Sequence, residues 1–230
     1  MSDIVVPRHI GYIVDGNRRW AKAQGLSTYE GHLAGYKAVS KIASASFNAG
    51  VKYVSAYIFS TENWKRSEDE VGKLMGLVLR LLTTDLSEFT KNNIKLVILG
   101  SRDKLDKNIL KAIDNAEAKT AHNDGGTLAL CFNYGGHLEI VDAVKKIVQS
   151  SVSADDIDTG LIEQNLYGPE IPPIDLVVRT SGEQRISNFM LWRIAYSEFM
   201  FLDKFWPDMT GADVEQIIKD FSSRSRRFGG

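Results

Sequence analysis

Short apolar runs alternate with longer stretches of helical spacing along the 230 residues of this chain. Residues 10–14 form the first apolar run and predict a buried strand, whereas residues 33–49 repeat apolar side chains at helical intervals and stop at Gly50. Alternating strands and helices favour parallel pairing with right-handed crossover connections. The sequence therefore predicts an α/β fold, with one domain over residues 1–230 and a central, mostly parallel six-stranded sheet flanked by helices.

The remaining elements continue this alternation. The predicted strands are residues 10–14, 53–59, 95–99, 128–132, 175–178 and 200–202, and the predicted helices are residues 33–49, 67–92, 104–122, 137–149 and 211–227. The carboxyl ends of parallel strands lie at one edge of the sheet, where open α/β folds bind their ligands. Polar segments follow several of these strands directly, so we expect them to converge at that edge.

The predicted helix at residues 67–92 has almost no polar face in its middle. Ser67 is placed to begin this helix as its N-cap, with Glu70 at the spacing of a capping box. The apolar middle permits two interpretations: a central core helix, which the periodicity favours, or one wall of an apolar cavity. Because each buried CH₂ contributes about 0.8 kcal/mol, such a cavity could hold a long hydrocarbon. Under the second interpretation, the predicted fold includes an apolar tunnel between the sheet and the helices.

The charges of the chain nearly cancel, with 28 basic and 29 acidic side chains. A general nucleic-acid binder needs a basic surplus, so no nucleic-acid partner is expected.

Cys131 is the only cysteine, which excludes an intrachain disulfide and is typical of a reducing cytoplasm. Pro7 and Arg8 interrupt the first apolar residues, so no signal peptide is expected. No apolar stretch reaches the roughly 18–20 residues of a membrane span, so we expect a soluble, cytoplasmic protein with at most peripheral membrane contact.

The first predicted strand leads directly into residues 15–20, with the sequence DGNRRW. This segment supplies a carboxylate that can hold a metal, a glycine where the backbone can turn, and two guanidinium groups, as a site for Mg²⁺ and a polyphosphate requires. Alternatively, Asp15 could simply cap the helix that follows the strand. A phosphatase of the haloacid dehalogenase type is disfavoured, because its nucleophilic aspartate would stand at the position of Ile13.

A second segment of the same kind follows the predicted strand at residues 175–178. Residues 179–188 read RTSGEQRISN and contain two arginines, Arg179 and Arg185. The planar guanidinium fork of arginine matches the oxygens of a phosphate group and stays charged. Two anion-binding segments in one chain indicate either two phosphorylated groups or one very large one.

Three other features permit both a functional and a structural interpretation. Residues 60–66, STENWKR, form either a mobile loop with polar reach or an ordinary surface turn. His32 is a candidate general base, although a lone histidine more often caps a helix or packs in a core. We interpret the acidic cluster at residues 155–158 as the start of a helix rather than as a metal site.

Together these segments resemble the cis-prenyltransferase family over residues 9–230. The motifs, in the family's order, are HI at 9–10, DGN at 15–17, RWAK at 19–22, GH at 31–32, FSTENWKR at 59–66, NYGG at 133–136, DLVVRTSGE at 175–183, RISNF at 185–189, LW at 191–192, WPD at 206–208 and RRFGG at 226–230. The resemblance implies an α/β homodimer that joins isopentenyl diphosphate to an allylic diphosphate, with farnesyl diphosphate as the expected starter. Each step forms a Z double bond, and the product is a Z-polyprenyl diphosphate, the precursor of a lipid carrier.

The same resemblance implies roles for individual side chains. Asp15 would hold Mg²⁺, and Asp15 and Asn63 would be the catalytic residues. The implied contacts of the allylic diphosphate are Gly16, Asn17, Arg18 and Arg19, and those of isopentenyl diphosphate are Arg179, Arg185 and Ser187. Asn63, Trp64 and Arg66 would close over the substrates, and Trp20, His32, Ser60 and Glu62 are further implied substrate contacts. Glu198 corresponds to a family carboxylate linked to the metal or to the partner subunit, and residues 227–229 to a stretch that reaches the partner's site. The proton acceptor stays open between Asp15, His32, Asn63 acting through water, and the released diphosphate.

The chain departs from the family pattern near the first anion-binding segment. Arg18 stands where the family often has glycine, and Thr28 stands where it often has an arginine that helps to hold the allylic diphosphate. We expect Arg18 to compensate for that missing charge. Gln184 replaces a histidine of some members. Thr159 occupies the last position of the Asp-Asp-x-x-Asp spacing used by trans-prenyltransferases, so that motif is absent at residues 155–158.

A non-catalytic, prenyltransferase-like subunit that stabilises a partner is the alternative function. Such a chain would be expected to lose the metal carboxylate or the arginines, whereas this one keeps Asp15, Arg19, Arg179 and Arg185. The chain length of the product does not follow from these motifs, because the volume of a tunnel is a three-dimensional quantity.

Overall fold

The polar segments at residues 15–20, 60–66 and 179–188 follow strands of one parallel sheet and begin at its carboxyl edge. The computed structural model describes residues 4–224. Its strands are β1 (His9–Ile13), β2 (Tyr53–Ser60), β3 (Ile94–Leu99), β4 (Gly126–Tyr134), β5 (Leu176–Arg179) and β6 (Glu198–Phe201). Its α-helices are α1 (Asn17–Ala23), α2 (Thr28–Asn48), α3 (Glu68–Leu82), α4 (Leu86–Lys91), α5 (Lys107–Thr120), α6 (Gly136–Gln149), α7 (Thr159–Asn165) and α8 (Gly211–Ser222). Short 3₁₀ helices occupy Thr61–Lys65, Ala154–Asp156 and Trp206–Asp208.

The six strands follow the order β3-β4-β2-β1-β5-β6, and every neighbouring pair is parallel. Strand β1 pairs with β2 on one side and with β5 on the other, so β2, β3 and β4 lie on one side of β1 and β5 and β6 lie on the other. Such a reversal of strand order opens a crevice outside the carboxyl ends of the strands. In the register of β1 and β5, Ile13 lies opposite Arg179. The prediction of one α/β domain with a six-stranded sheet is confirmed, and the sheet is parallel throughout.

Apolar side chains cover both faces of the sheet. On one face, Ile10 and Tyr12 of β1 belong to the larger core, together with residues of α2, α3, α5 and α8. On the other face, Ile13 packs in a second cluster with Tyr57 and Phe189. Successive side chains of a strand point to opposite faces, and burial on both faces explains why the strands read as near-continuous apolar runs.

The prediction of one continuous helix over residues 67–92 is wrong, because the chain breaks between α3 and α4. The hydroxyl of Thr83 donates to the carbonyl of Leu79 at 2.7 Å, which offers the backbone an alternative to the helical pattern. The Asp85 carboxylate then accepts hydrogen bonds from Tyr36 and from Nε of Arg80. These side-chain contacts hold the break, and they come from residues whose proximity the periodicity of the segment does not encode.

The other predicted helices are present with shifted ends, whereas α1 was not among the predicted helices. Helix α2 begins at Thr28, earlier than predicted, because Ser27 and Glu30 form a capping box. Asp158 caps α7, so the acidic cluster at residues 155–158 leads into a helix as predicted. Residues 225–227 of the predicted last helix lie outside the described residues. Among residues 4–224, no helix is long and apolar enough to cross a membrane.

Buried His9 should make the stability of the fold depend on pH. Its Nδ1 donates to the carbonyl of Pro172 at 2.9 Å and its Nε2 accepts from the hydroxyl of Ser55 at 2.8 Å. Burial lowers the pKa of His9 from 6.5 to about 4. Below pH 6.5 the unfolded chain therefore binds a proton that the folded chain excludes, so the free energy of unfolding falls by about 3 kcal/mol as the pH drops towards 4.

Urea unfolding of the wild type and of His9→Asn at pH 7 and pH 5 measures this contribution. The variant should be less stable at pH 7, because it loses a buried hydrogen bond, but its further loss at pH 5 should be smaller than that of the wild type. An equal loss in both proteins would show that His9 does not titrate in this range.

Candidate active site

Strand β1 ends in a turn that brings the Asp15 carboxylate to the crevice. Gly16 caps α1 in the left-handed region, at φ 101°, and a Cβ there would lie 2.7 Å from the Phe205 ring. Only glycine fits this conformation and this space. The Gly16 N–H donates to Oδ1 of Asp15 at 2.7 Å, and the hydroxyl of Thr180 donates to the Asp15 carbonyl at 2.7 Å. The turn is therefore fixed by both the first and the late segment.

Two arginines neutralise the Asp15 carboxylate. Oδ2 accepts from Nη2 of Arg179 at 2.8 Å, and Oδ1 lies 3.3 Å from Nη2 of Arg19. Partial burial alone would raise the pKa of Asp15, but the hydrogen bonds from Arg179 and Gly16 and the two positive charges lower it below its ordinary value. Asp15 is thus an ionised carboxylate at neutral pH and can serve as a metal ligand.

Arg179 is the buried centre of this cluster, with a side chain only 5% exposed. Its Nη1 donates to Oγ of Ser187 at 2.8 Å and to the carbonyl of Arg185, while its Nη2 binds Asp15. Its Nε is buried without a hydrogen-bond partner among the described residues. Arg179 therefore joins the two segments that the sequence identifies as anion-binding.

Arg19 and Arg185 are more exposed and share a different carboxylate. Nη1 of Arg19 donates to Oε1 of Glu183 at 3.0 Å, and Nη1 of Arg185 donates to Oε2 of the same residue. Arg19 also binds Ser181, through the carbonyl at 3.2 Å and the hydroxyl at 2.5 Å. The hydrogen bond and the charge of Arg185 hold the pKa of Glu183 below its usual value.

The segment at residues 60–66 is folded as a 3₁₀ helix with two tethers. The Trp64 indole donates to Oδ1 of Asn133 at 2.8 Å, and its ring packs edge-on against Phe59 at 5.2 Å. At the other tether, Nδ2 of Asn188 donates to Oε1 of Glu62 at 3.1 Å. The segment is thus more than an unstructured surface turn, and both tethers reach motifs that the family resemblance includes.

His32 forms a small charged cluster with Glu70 and Arg66. Its Nε2 is 3.1 Å from Oε1 of Glu70, and Arg66 donates to the same oxygen at 2.8 Å. Burial and the charges of Arg66 and Arg18 lower the pKa of His32, although its bond to Glu70 acts in the opposite direction. Because the Glu70 carboxylate accepts a hydrogen bond from Nε2, the proton of the neutral imidazole is on Nε2 and the lone pair is on Nδ1. The bond to Glu70 also explains why only Ser67 forms its half of the predicted capping box.

A cavity of about 1090 Å³ opens between these groups. Its polar lining includes Asp15, Gly16, Asn17, Arg18, Arg19, Lys22, Thr28, His32, Ser60, Asn63, Arg66, Arg179, Arg185 and Ser187, and its apolar lining includes Val39, Ile58, Phe59, Leu74, Leu77, Val78 and Leu81. Helix α3 is therefore part of the core and also part of the cavity wall. The two interpretations of this apolar helix are not exclusive.

Trp20, Glu62 and Trp64 do not line this cavity, although each lies on a segment that does. The Trp20 indole instead donates to Asp208 at 2.7 Å. Lys22 lines the cavity but was not among the candidate residues of the sequence. Its position one helical turn after Arg18 is the signal that could have identified it.

Glu198 lies far from Asp15 within one chain. It begins β6, whose last residue Phe201 is level with Arg179, so Glu198 stands about 10 Å nearer the amino ends of the strands. Its carboxylate accepts a hydrogen bond from Arg224 at 2.9 Å. The expectation that Glu198 shares a metal ion with Asp15 does not fit the geometry of a single chain. Across residues 4–224, no three His, Cys, Asp or Glu side chains are grouped to hold a metal ion.

Comparisons with known protein sequences give a consistent result. A family model described as putative undecaprenyl diphosphate synthase matches residues 13–229. An isoprenyl transferase of Clostridium perfringens is 43% identical over 229 residues, which cover 98% of this chain and 90% of that protein. A ditrans,polycis-undecaprenyl-diphosphate synthase, (2E,6E)-farnesyl-diphosphate specific, from Aliivibrio fischeri is 44% identical over 98% of this chain and 89% of that protein.

Solved structures agree with these sequence relatives. Lavandulyl diphosphate synthase from Lavandula x intermedia, in complex with dimethylallyl diphosphate, has a TM-score of 0.92 and 33% identity over 99% of this chain and 100% of that one. A probable undecaprenyl diphosphate synthase from Campylobacter jejuni has a TM-score of 0.82 and 30% identity over the full length of both chains. The chain therefore belongs to the undecaprenyl diphosphate synthase family and is a cis-prenyltransferase.

Proposed function

We propose that this enzyme uses Mg²⁺ to condense isopentenyl diphosphate with an allylic diphosphate, farnesyl diphosphate in the first step, to give a Z-polyprenyl diphosphate. The observation that carries the proposal is the contact between Asp15 and Arg179, which joins both anion-binding segments at a cavity with a partly apolar lining. The farnesyl starter is supported by the name of the Aliivibrio fischeri relative. A lipid-carrier precursor is the corresponding product.

Each anion-binding segment would hold one diphosphate. Gly16, Asn17, Arg18 and Arg19 would surround the allylic diphosphate, whereas Arg179, Arg185 and Ser187 would hold isopentenyl diphosphate; all of them line the same cavity. Their guanidinium groups are ready donors for phosphate oxygens and remain charged at every working pH. The shared cavity supports a reaction between the two bound molecules.

The residues present fit a magnesium ion held together with a substrate. Mg²⁺ is usually bound by one or two carboxylates plus substrate phosphates rather than by a complete protein cage. Asp15, ionised and placed beside the arginines of both segments, would be that carboxylate. When bound, the ion would neutralise negative charge on the departing diphosphate.

The protein's own groups would stabilise the rest of the charge. Negative charge grows on the leaving diphosphate as its C–O bond breaks, so arginines that meet it lower the barrier if they bind the transition state more strongly than the substrate. Water would quench the allylic cation, and the tethered segment with Trp64 would help to exclude it. His32 Nδ1, the Asp15 carboxylate, Asn63 acting through water and the released diphosphate would be the candidates to accept the proton that isopentenyl diphosphate loses.

Arg18 would supply the charge missing at Thr28. Both residues line the cavity, and the guanidinium of Arg18 is close enough to His32 and Glu70 to lower the pKa of each. Position 28 begins α2, at the same wall. The first anion-binding segment would therefore keep this positive charge, supplied by Arg18 instead of by position 28.

A homodimer and a cytoplasmic location also belong to the proposal. The edge strand β6 carries Phe199 and Phe201 stacked at 6.2 Å, with Phe201 exposed, and a partner subunit would cover such an edge. Glu198 would then act at the partner's side rather than with Asp15. Residues 227–229, implied to reach the partner's site, lie outside the described residues.

Cys131 is free and buried, as in proteins of a reducing compartment, and product release would involve peripheral membrane contact.

The growing hydrocarbon would occupy the apolar part of the cavity. Val78 lines it from α3, so Val78→Phe should shorten the main product by filling space that the chain would otherwise occupy. Chromatographic sizing of the dephosphorylated product measures this change. Leu79→Phe is the matched control, since Leu79 lies on the same helix but not among the lining residues. If both variants make wild-type products, α3 is a core helix without a role in chain length.

Incubation with Mg²⁺, farnesyl diphosphate and labelled isopentenyl diphosphate tests the proposal as a whole. A butanol-extractable polyprenyl product that disappears with a chelator is expected. A folded protein that gives no product with any allylic starter would favour the non-catalytic subunit. Release of free phosphate alone would indicate a phosphohydrolase, which Ile13 disfavours by standing where the nucleophile would be.

A further inference from the structure

Besides Asp15, which pairs with Arg19 and Arg179, a second carboxylate connects arginines of both segments. Glu183 lies on the turn after β5, and its two oxygens accept from different residues: Oε1 from Arg19, at the first segment, and Oε2 from Arg185, at the second. No other side-chain carboxylate pairs with Arg185 in the described part of the chain. Glu183 is therefore an internal anion, in addition to Asp15, that faces both proposed diphosphate positions.

The backbone holds this carboxylate in place. Ser181 and Gly182 both lie in the left-handed region, at φ 74° and 76°, and turn the chain back towards Arg19. Their N–H groups donate to the carbonyls of Lys204 at 2.8 Å and Leu202 at 2.9 Å. The backbone position of Glu183 is thus set by an anchored turn.

The geometry also makes the contact easy to replace. Arg19 and Arg185 are 45% and 59% exposed, and exposed ion pairs of this kind are individually weak. A diphosphate has more charge and more acceptor oxygens than a carboxylate, so it would displace Glu183 from an arginine that it binds. Once one of the two arginines is lost, the remaining single exposed pair no longer holds the carboxylate, which leaves both arginines.

We propose that Glu183 is a shared counter-ion that couples the two diphosphate sites. The first diphosphate to bind displaces the carboxylate from both arginines, and the second diphosphate then binds without that cost. Each substrate therefore raises the affinity for the other, and by thermodynamic linkage the factor is the same in both directions. This inference rests on the proposed function, because it takes Arg19 and Arg185 as contacts of two different diphosphates.

Glu183→Gln tests the coupling by calorimetry in the presence of Mg²⁺. The dissociation constant of isopentenyl diphosphate is measured alone and with a saturating, unreactive thio analogue of the allylic diphosphate. Alone, the ligand should bind the variant about two- to fivefold more tightly than the wild type, as the loss of a weak internal competitor predicts. With the analogue present, both proteins should bind isopentenyl diphosphate equally. The coupling ratio, which is the dissociation constant without the analogue divided by that with it, therefore falls by the same factor in the variant.

Further variants separate the possible outcomes. Glu183→Ala must show the same pattern, since it removes the carboxylate without offering an amide to the arginines. Glu215→Gln removes the same charge from the exposed face of α8 and should behave as the wild type. Weaker binding by Glu183→Gln would mean that Glu183 only orients the arginines, and an unchanged coupling ratio would also overturn the inference. If Arg19→Ala and Arg185→Ala bind both ligands normally, the proposed function of the site fails instead.

Discussion

Replacing Asp15 by asparagine should lower kcat about 10³-fold while the protein stays folded, because several kcal/mol of metal-assisted charge stabilisation are lost. Asparagine keeps the size of the side chain but carries no charge for a metal ion. It also removes the negative charge that pairs with Arg179 and Arg19 at 2.8 and 3.3 Å. Arg179 keeps its bonds to Ser187 and to the carbonyl of Arg185, which limit the loss of stability.

Steady-state kinetics at several Mg²⁺ concentrations, with thermal unfolding of the same samples, check this expectation. Asp114→Asn removes an equivalent charge from the exposed side of α5 and should keep wild-type kinetics. Wild-type turnover by Asp15→Asn at low as well as high Mg²⁺ would count against a metal role for this carboxylate. A large fall in the unfolding temperature would instead indicate a structural role.

The alternation of apolar runs was sufficient to predict the sheet, and the sheet was sufficient to predict that the polar segments converge. Parallel strands have one carboxyl edge, so Asp15 and Arg179 had to leave the sheet on the same side once both followed strands. Their direct contact also requires that β1 and β5 be neighbours, which the order of the strands along the chain does not specify. Convergence at one edge is therefore encoded by periodicity, whereas the contact between the two residues is not.

Contacts between distant side chains were beyond the reach of the sequence. The break after α3 depends on Asp85 meeting Tyr36 from another helix, which no local pattern records. The position of Glu198 depends on the register of β5 and β6, and a shift of a few residues would move it along the strand. The shared contact of Glu183 depends on a turn in the left-handed region, where Ser181 is not the residue that local preference would select.

Replacing Arg179 by alanine should lower kcat/KM about 10²- to 10³-fold for both substrates, because removal of one partner of a buried charge pair costs roughly 2–5 kcal/mol. The family resemblance links this arginine to isopentenyl diphosphate alone. In the structure it also binds Asp15, so its loss disturbs the carboxylate that we propose for the metal. Arg185 has no such contact and is 59% exposed, so Arg185→Ala should raise KM for isopentenyl diphosphate with a smaller effect on the allylic substrate.

Arg179→Lys distinguishes charge from geometry at the same position. A lysine keeps the positive charge but has no planar fork with which to bind Asp15 and Ser187 together, so it should recover only a small part of the lost activity. Initial rates measured with each substrate varied in turn give both kcat/KM values for the three variants. If Arg179→Ala affects isopentenyl diphosphate alone, its contact with Asp15 has no role in turnover. If Arg185→Ala weakens both substrates equally, the two arginines act as one group and the division of the cavity into two diphosphate positions is wrong.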